Sequence, residues 1–192
     1  MNTRKSISLY LRRTNLSIFC IILSSLSWYL ANELNGTFWY LLWLAPVPVL
    51  LISFNVKGKI AFVIAYIAYA IGRLSWFGYL HETSSLSFAI ILTLFLPVIF
   101  SFVLVAVRRI VVTSQSWLSV FAFPVLFTAS EFIMLNLSPE GSSSSLAYTQ
   151  MNFTAIIQVA SITGILGITF IITFIPSAIA LGWCFRFQKN KF

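Results

Sequence analysis

The sequence predicts an all-α integral membrane protein: six transmembrane helices, both termini cytoplasmic, and an interfacial arm on the outer side between the fifth and sixth helices. Three observations lead there. Of the 192 residues 59% are hydrophobic and only 8% charged, with a mean hydropathy of +0.96; a soluble core of this size would need far more charge on its surface. The apolar residues come in runs of about 16–23, the length that crosses the hydrocarbon layer as helix. The connections between those runs alternate between basic and non-basic, which is how orientation is written into a polytopic chain.

Residues 1–15 carry Arg4, Lys5, Arg12 and Arg13, and the first apolar run follows at about 16–31. A basic start before an apolar run also describes a signal peptide. This run, however, ends in the bulky Trp28 and Tyr29 without a small-x-small cleavage site, so an uncleaved first span is expected. The next spans fall at about 38–54, 60–80, 86–107, 117–137 and 163–185, and together they make residues 1–192 a single transmembrane domain. The 32–37 connection holds only Glu33, and 55–59 holds Lys57 and Lys59. The 81–85 connection holds His81 and Glu82, and 108–116 holds Arg108 and Arg109. The 138–162 segment holds only Glu140, and the tail holds Arg186, Lys189 and Lys191. The positive-inside rule then puts both termini in the cytoplasm and the 138–162 segment outside. Trp28, Tyr29, Phe38, Trp39, Tyr40, Trp76, Phe77 and Tyr79 fall at the predicted outer ends, where amphipathic rings favour the headgroup layer. A multi-pass membrane protein is expected, with the phospholipid bilayer as its first partner.

The net charge of +8 does not point to nucleic acid. Eleven of the twelve Lys and Arg lie in short segments between apolar runs, where a phosphate-binding surface would need them clustered on one folded face. No internal repeat is visible, so an inverted-repeat transporter gains no support. Pro46, Pro48, Pro97, Pro124 and Pro176 fall inside apolar runs; membrane bundles tolerate them because neighbours re-satisfy the freed carbonyls. Ala61, Ala65, Ala68 and Gly72 share one face of the third span and predict close helix packing.

Two charged residues stand inside spans, Arg73 and Glu131. Arg73 is seven residues before Leu80 and Glu131 six before Leu137, so both sit roughly 10 Å below the outer boundary at about 1.5 Å per residue. A lone charge at that depth is costly, and an Arg73–Glu131 contact is expected. It has two readings: a buried pair that fixes helix packing, or a polar floor beneath a headgroup site.

Elsewhere reactive groups are sparse. Cys20 and Cys184 both fall near inner ends, on the reducing side, so no disulfide is expected. One histidine and two separated thiols cannot build a zinc site, and neither metal nor cofactor is predicted. All five lysines are on the cytoplasmic side. An outward Glu–Lys–Cys or Ser–His–Asp set therefore cannot be assembled, and no catalytic residue is assigned. The Ser142–Ser145 run reads as flexible loop.

The stretch from about Thr128 to Phe170 has a plan that lipid solubility does not demand. It contains Ser130-Glu131-Phe132, then Ala147-Tyr148-Thr149-Gln150, then Ile157-Gln158-Val159-Ala160-Ser161, then Gly164-Ile165-Leu166-Gly167-Ile168-Thr169-Phe170. Upstream lie Trp43-Leu44-Ala45-Pro46 and Ser75-Trp76-Phe77. In order and spacing this resembles the membrane half of apolipoprotein N-acyltransferase, over nearly the whole chain. That family has an acidic residue late in a span, a loop, a Gly-Tyr-Ser-Gln-like element, an apolar arm with a Gln, and a Gly-x-x-Gly-like opening of the next span. Where the family usually has an Arg three residues after the acid, this chain has Met134. Its Gly-Phe-Pro-Trp loop element is replaced by Pro139-Glu140-Gly141 and serines.

The resemblance implies a role in moving an acyl chain from phospholipid to the amino group of a lipoprotein's lipidated N-terminal cysteine. It marks Tyr148, Gln150, Gln158, Gly164 and Gly167 as the outer arm and lipid interface. The family continues into a further span and a nitrilase-like domain bearing Glu–Lys–Cys, whereas this chain stops at Phe192. It is therefore expected to supply the platform without turning over by itself. The expected partners are lipoprotein substrates and a separately encoded nitrilase-like domain. Two other classes stay open: a small transporter or channel module using Arg73 and Glu131, and a scaffold binding other membrane proteins through small-residue faces.

Overall fold

The computed structural model describes residues 3–138 and 141–189. The side chains of Arg4, Lys5, Arg12, Arg13, Lys189 and Lys191, together with Pro139 and Glu140, lie outside the described residues. Among the described residues the chain is helical throughout, with no strand. The helices are α1 (Thr3–Ala31), α2 (Val47–Ser53), α3 (Gly58–Arg73), α4 (Phe77–Thr83), α5 (Leu86–Ser114), α6 (Ala122–Leu137), α7 (Thr154–Ile157) and α8 (Ala160–Lys189). Short 3-10 turns stand at Trp39–Trp43, Leu74–Trp76, Trp117–Phe121 and Leu146–Gln150.

Four helical stretches are long and apolar enough to cross a bilayer: Gly58–Thr83, Leu86–Ser114, Trp117–Leu137 and Ala160–Arg186. Two further apolar pieces are shorter, Asn15–Ala31 and Trp39–Ser53. The second of these departs from the predicted unbroken helix over 38–54. Pro46 and Pro48 have no N–H to give, so the 3-10 turn Trp39–Trp43 stops and α2 starts afresh at Val47. Irregular backbone at membrane depth is tolerated only where protein covers it. Here Ala45 is completely buried, and its carbonyl accepts a 2.6 Å hydrogen bond from Ser24 Oγ of α1. Pro124 is the third residue of α6, in the first turn, where the missing N–H costs no helical bond.

Around the bundle each helix packs on the next in the order α1, α3, α5, α6, α8, α2 and back to α1, with α2 also reaching α3 and α5. Aromatic rings fill the middle. Tyr69 stacks on Phe100 at 4.6 Å, Trp28 meets Tyr69 edge-on at 4.8 Å, and Phe100 touches Phe123 and Phe127. Trp28 is completely buried and Trp76 nearly so. Both were expected in a headgroup belt. Trp28 instead faces α3, because Gly72 leaves room for it: a Cβ on Gly72 would collide with the Trp28 side chain. Ala61, Ala65 and Ala68, on the same stripe, are completely buried.

The connection expected at 108–116 is mostly helix. Ile110, Val111 and Val112 carry α5 past the arginine pair to Ser114, and the turn is made by Gln115 in the left-handed region (φ 47°). Arg108 Nε donates to Ser53 O at 2.9 Å and Val56 O at 2.7 Å, closing the C-terminal end of α2. Trp117 meets Phe185 edge-on at 5.0 Å. These contacts bring the α2–α3 turn, the end of α5, the start of α6 and the end of α8 to one end of the bundle. Lys57, Lys59, Arg108, Arg109 and Arg186 gather there. At the other end the backbone carbonyl of Asn32, just past α1, accepts from Trp76 Nε1 at 2.5 Å, and Glu33 and Glu82 lie close by in sequence.

Candidate functional site

Glu131 lies on α6, where α6 packs against both α5 and α8. Its carboxylate is partly buried and takes three hydrogen bonds. Leu146 N–H donates to Oε1 at 2.7 Å, Ser145 Oγ donates to Oε2 at 3.1 Å, and Thr169 Oγ1 of α8 donates to Oε2 at 2.6 Å. An ionised carboxylate has about four acceptor positions, so most of its capacity is used. Bonds of this kind are about twice as strong as neutral ones. The carboxylate thus joins α6, the end of the serine turn and α8 at one point. Ser145 is part of that joint, where sequence reading expects only flexible loop.

Four residues beyond Leu146, Gln150 fastens the other end of the same 3-10 turn. It is completely buried. Its Oε1 accepts from Trp43 Nε1 at 2.9 Å, and its Nε2 donates to Trp39 O at 3.2 Å and Thr149 Oγ1 at 3.0 Å. The Trp39 ring stacks on Phe153 at 4.5 Å, and Asn152 Nδ2 donates to Asn35 O at 2.9 Å. Residues 146–150 therefore form a strap held at one end by Glu131 and at the other by the first 3-10 turn. Tyr148, between the two fastenings, is half-exposed, with its hydroxyl 2.7 Å from Ser142 Oγ.

Beyond the strap the chain rises through α7 to Gly164. Gln158 is exposed, Ile162 is 88% exposed, and only Ile156 of this arm is buried. The two arm glycines do different work. Gly164 has φ 67° and ψ −174°, a combination open essentially to glycine alone, and it turns the arm into the long run of α8. Gly167 is ordinary helix, but Thr163 folds over it so closely that a Cβ there would strike the Thr163 side chain.

Arg73 is buried, 2% exposed, with its guanidinium carbon 4.5 Å from the Trp76 ring centroid, a cation–π arrangement. Its Nε and Nη2 have no hydrogen-bond partner among the described residues. No nitrogen–oxygen contact within 4.0 Å joins it to Glu131 among the described residues. The short-range partners of the two side chains are different. A cavity of about 40 Å³ lies beside Glu131, lined by Tyr69, Phe100, Phe127, Ser130 and Ser145 among others. It has room for about two water molecules. Cys20 and Cys184 are half-buried free thiols, and among the described residues no three His, Cys, Asp or Glu side chains converge.

The late-span acid, the glutamine and the glycine-opened helix belong to the stretches that carry the resemblance, and the structure joins the first two through the strap. The model of the apolipoprotein N-acyltransferase N-terminal domain family matches residues 24–178. The chain belongs to that family. No curated protein and no solved structure matches it. As an apolipoprotein N-acyltransferase N-terminal domain, the chain has Arg73, Glu131, Gln150, Gln158, Gly164 and Gly167 all within the matched residues. The match begins at Ser24, whose hydroxyl covers the break before α2, and runs past Thr169, which holds Glu131.

What the sequence does not reveal is the partners of these residues. Trp43 and Thr169 fall inside stretches that carry the resemblance and Ser145 in the serine run, but no local pattern pairs Trp43 with Gln150 or brings Ser145 and Thr169 to Glu131.

Proposed function

We propose that this chain is the membrane-embedded domain of an apolipoprotein N-acyltransferase-like protein, working in lipoprotein maturation, and that it does not transfer an acyl group by itself. The observation that carries this reading is the strap. Glu131 and Gln150 fix residues 146–150 across one end of the bundle, giving a rigid, polar-backed ledge at the rim of the membrane. The exposed arm through Gln158 and Ile162 lies along the outer interface beside it as a partly amphipathic segment. A catalytic nitrilase-like domain, separately encoded, would sit over that ledge and meet lipoprotein substrates there. The chain's own nucleophiles do not serve. Both thiols are half-buried within helices, and its lysines lie at the start of α3 or near the termini in sequence.

The proposal includes six crossings of a bacterial inner membrane by one domain, residues 1–192, with both ends in the cytoplasm. Asn15–Ala31 at 17 residues is at the short limit for a crossing, and the broken α2 segment makes the second. The gathering of Lys57, Lys59, Arg108, Arg109 and Arg186 at one end supports this orientation.

Two measurements test the reading. Lys57 should be modified only by reagents that reach the cytoplasm, and a cysteine placed at Ser143 only by reagents outside. The reverse pattern would sink the topology. An acylation assay on the chain alone should give no turnover, and added nitrilase-like domain should restore it. Turnover by the isolated chain would reject the platform role.

A further inference from the structure

Arg73 falls well inside the Gly58–Thr83 span, about 15 Å from its outer end at about 1.5 Å per residue. A guanidinium is charged at any ordinary pH, and this one is 2% exposed. A charge so placed calls for a partner of opposite sign. None of the described acids supplies it. Glu131 is engaged by Leu146, Ser145 and Thr169, and Glu33 and Glu82 are exposed. The Trp76 ring covers one face of the guanidinium and offsets part of the cost. It accepts nothing from the guanidinium edge, where Nε and Nη2 are left without an acceptor.

The neighbours of Arg73 share this condition. Trp76 Nε1 donates to Asn32 O at 2.5 Å, so Arg73 and Asn32 flank one indole ring. Asn32 is 2% exposed, and both ends of its amide are unpaired among the described residues. Trp28 packs on Gly72, next to Arg73, and its Nε1 is buried and unpaired as well. The balance of donors and acceptors decides what fits. Arg73 Nε and Nη2, Asn32 Nδ2 and Trp28 Nε1 are all donors, and against these four nitrogens stands one acceptor, Asn32 Oδ1. A water molecule brings hydrogens of its own and leaves the charge unmet. An anion takes donors only and neutralises the guanidinium. We propose that Arg73 and Asn32 hold a small inorganic anion of halide size where α1 packs on α3, with Trp28 Nε1 as a further donor. The size follows from the enclosure. Trp28, Asn32 and Trp76 are 0%, 2% and 6% exposed, which leaves no way out for the ester chain of a phospholipid whose phosphate sat on the guanidinium. The site bears on the stability of the fold and is independent of the platform role.

The melting temperature of the full chain in nonionic detergent tests this, with chloride replacing gluconate at constant ionic strength. It should rise saturably with chloride, by several degrees, as for any ligand of the folded state. Bromide should reproduce the rise and quench part of the tryptophan emission with the same midpoint, because Trp76 borders the site. Phosphate should do neither. Arg73→Met should lose the chloride dependence and melt in gluconate no lower than the parent, since the unmet charge is gone. A purely structural arginine would instead lower the melting temperature alike in both salts. Asn32→Leu should move the midpoint to about fivefold higher chloride, and Arg109→Gln, at the cation-rich end, should leave it unchanged. Equal melting of the parent in chloride and gluconate overturns the proposal. So does stabilisation by phosphate at the same midpoint, bromide that stabilises without quenching, a chloride response that survives Arg73→Met, one lost equally in Arg109→Gln, or a midpoint unmoved in Asn32→Leu. Should Arg73→Met fail to fold, Asn32→Leu and the bromide quenching still decide. Failure of the platform role would appear in the acylation assay, which compares no salts.

Discussion

Thr169 Oγ1 of α8 donates to Glu131 Oε2 of α6 at 2.6 Å, across 38 residues of sequence. This is the shortest of the three bonds to that carboxylate and the one that ties the last helix to the strap. Hydrogen bonds to charged groups contribute about 1.5–3 kcal/mol. Thr169→Val keeps the shape and removes the donor, so it should cost about that much. Thr169→Ser should cost much less. Thermal unfolding in detergent checks both, and equal stability of Thr169→Val and the parent would show that α8 does not hold the carboxylate.

The sequence and the structure agree where the physics is local and part where it is not. Alternating charge marks the ends of the apolar runs because lipid and water demand it of every helix independently. Glu131 could be singled out as a charge inside an apolar run, and Gln150, Gly164 and Gly167 by the resemblance of their stretches to the family pattern. Their partners could not. Counting residues gives the height of Arg73 and Glu131 along their helices and puts them level, but it does not give rotation about the axis. Arg73 turns onto Trp76, three residues ahead in the 3-10 turn that follows α3, and Glu131 turns onto Thr169. Pro46 and Pro48 read as tolerated within one span, and the structure breaks the helix there. That Ser24 would cover the exposed carbonyl of Ala45 depends on where α1 packs, which no local pattern states.

Gln150 has its side-chain oxygen and both amide hydrogens in use inside the protein. Gln150→Leu would leave Trp43 Nε1 and Trp39 O without their partner. With about 1–3 kcal/mol for an orphaned buried group, a loss of about 2–3 kcal/mol is expected, together with a shift in tryptophan emission as Trp43 loosens. Tyr148→Phe breaks only an exposed contact to Ser142 and should change stability by less than about 0.5 kcal/mol. Emission at the parent wavelength in Gln150→Leu would show the strap to be held some other way.

Gly72 and Gly78 are six residues apart and predict opposite outcomes. A side chain at Gly72 collides with Trp28, whereas a Cβ at Gly78 meets nothing within 4 Å. Gly72→Val should cost about 1–3 kcal/mol or more by forcing α1 from α3. Gly78→Ala, within α4, should be neutral or gain up to about 1 kcal/mol from helix propensity. Melting temperatures of the two variants should bracket that of the parent, and similar values for both would contradict the close approach at Trp28.

Arg108 closes α2 with two hydrogen bonds from one nitrogen. Arg108→Met keeps much of the side-chain volume and removes the donors, and about 1–3 kcal/mol should be lost with the carbonyls of Ser53 and Val56 released. The effect should be local. Proteolysis in the 54–57 turn should quicken in Arg108→Met and be partly restored in Arg108→Lys, while Trp43 emission stays as in the parent. A parent-like cleavage rate would mean that the turn is held without Arg108.

The two arm glycines can be separated by a double-mutant cycle, because one answers to backbone geometry and the other to crowding. Gly164→Ala places a Cβ on a backbone with φ 67° and ψ −174°, which costs about 1–3 kcal/mol wherever it occurs. Apart from the flanking residues no neighbour lies within 4 Å of that Cβ, so the cost belongs to the backbone and truncating Thr163 should not relieve it. Gly167→Ala is costly because Thr163 occupies the space, so Thr163→Ala should restore most of the loss. The coupling between positions 163 and 167 should reach about 0.5–3 kcal/mol, the range for residues in contact, and the coupling between 163 and 164 should be near zero. Chemical unfolding of the three single and two double variants against the parent gives both numbers. Rescue of Gly164→Ala by Thr163→Ala would mean that the turn into α8 is shaped by packing and not by the backbone conformation only glycine adopts.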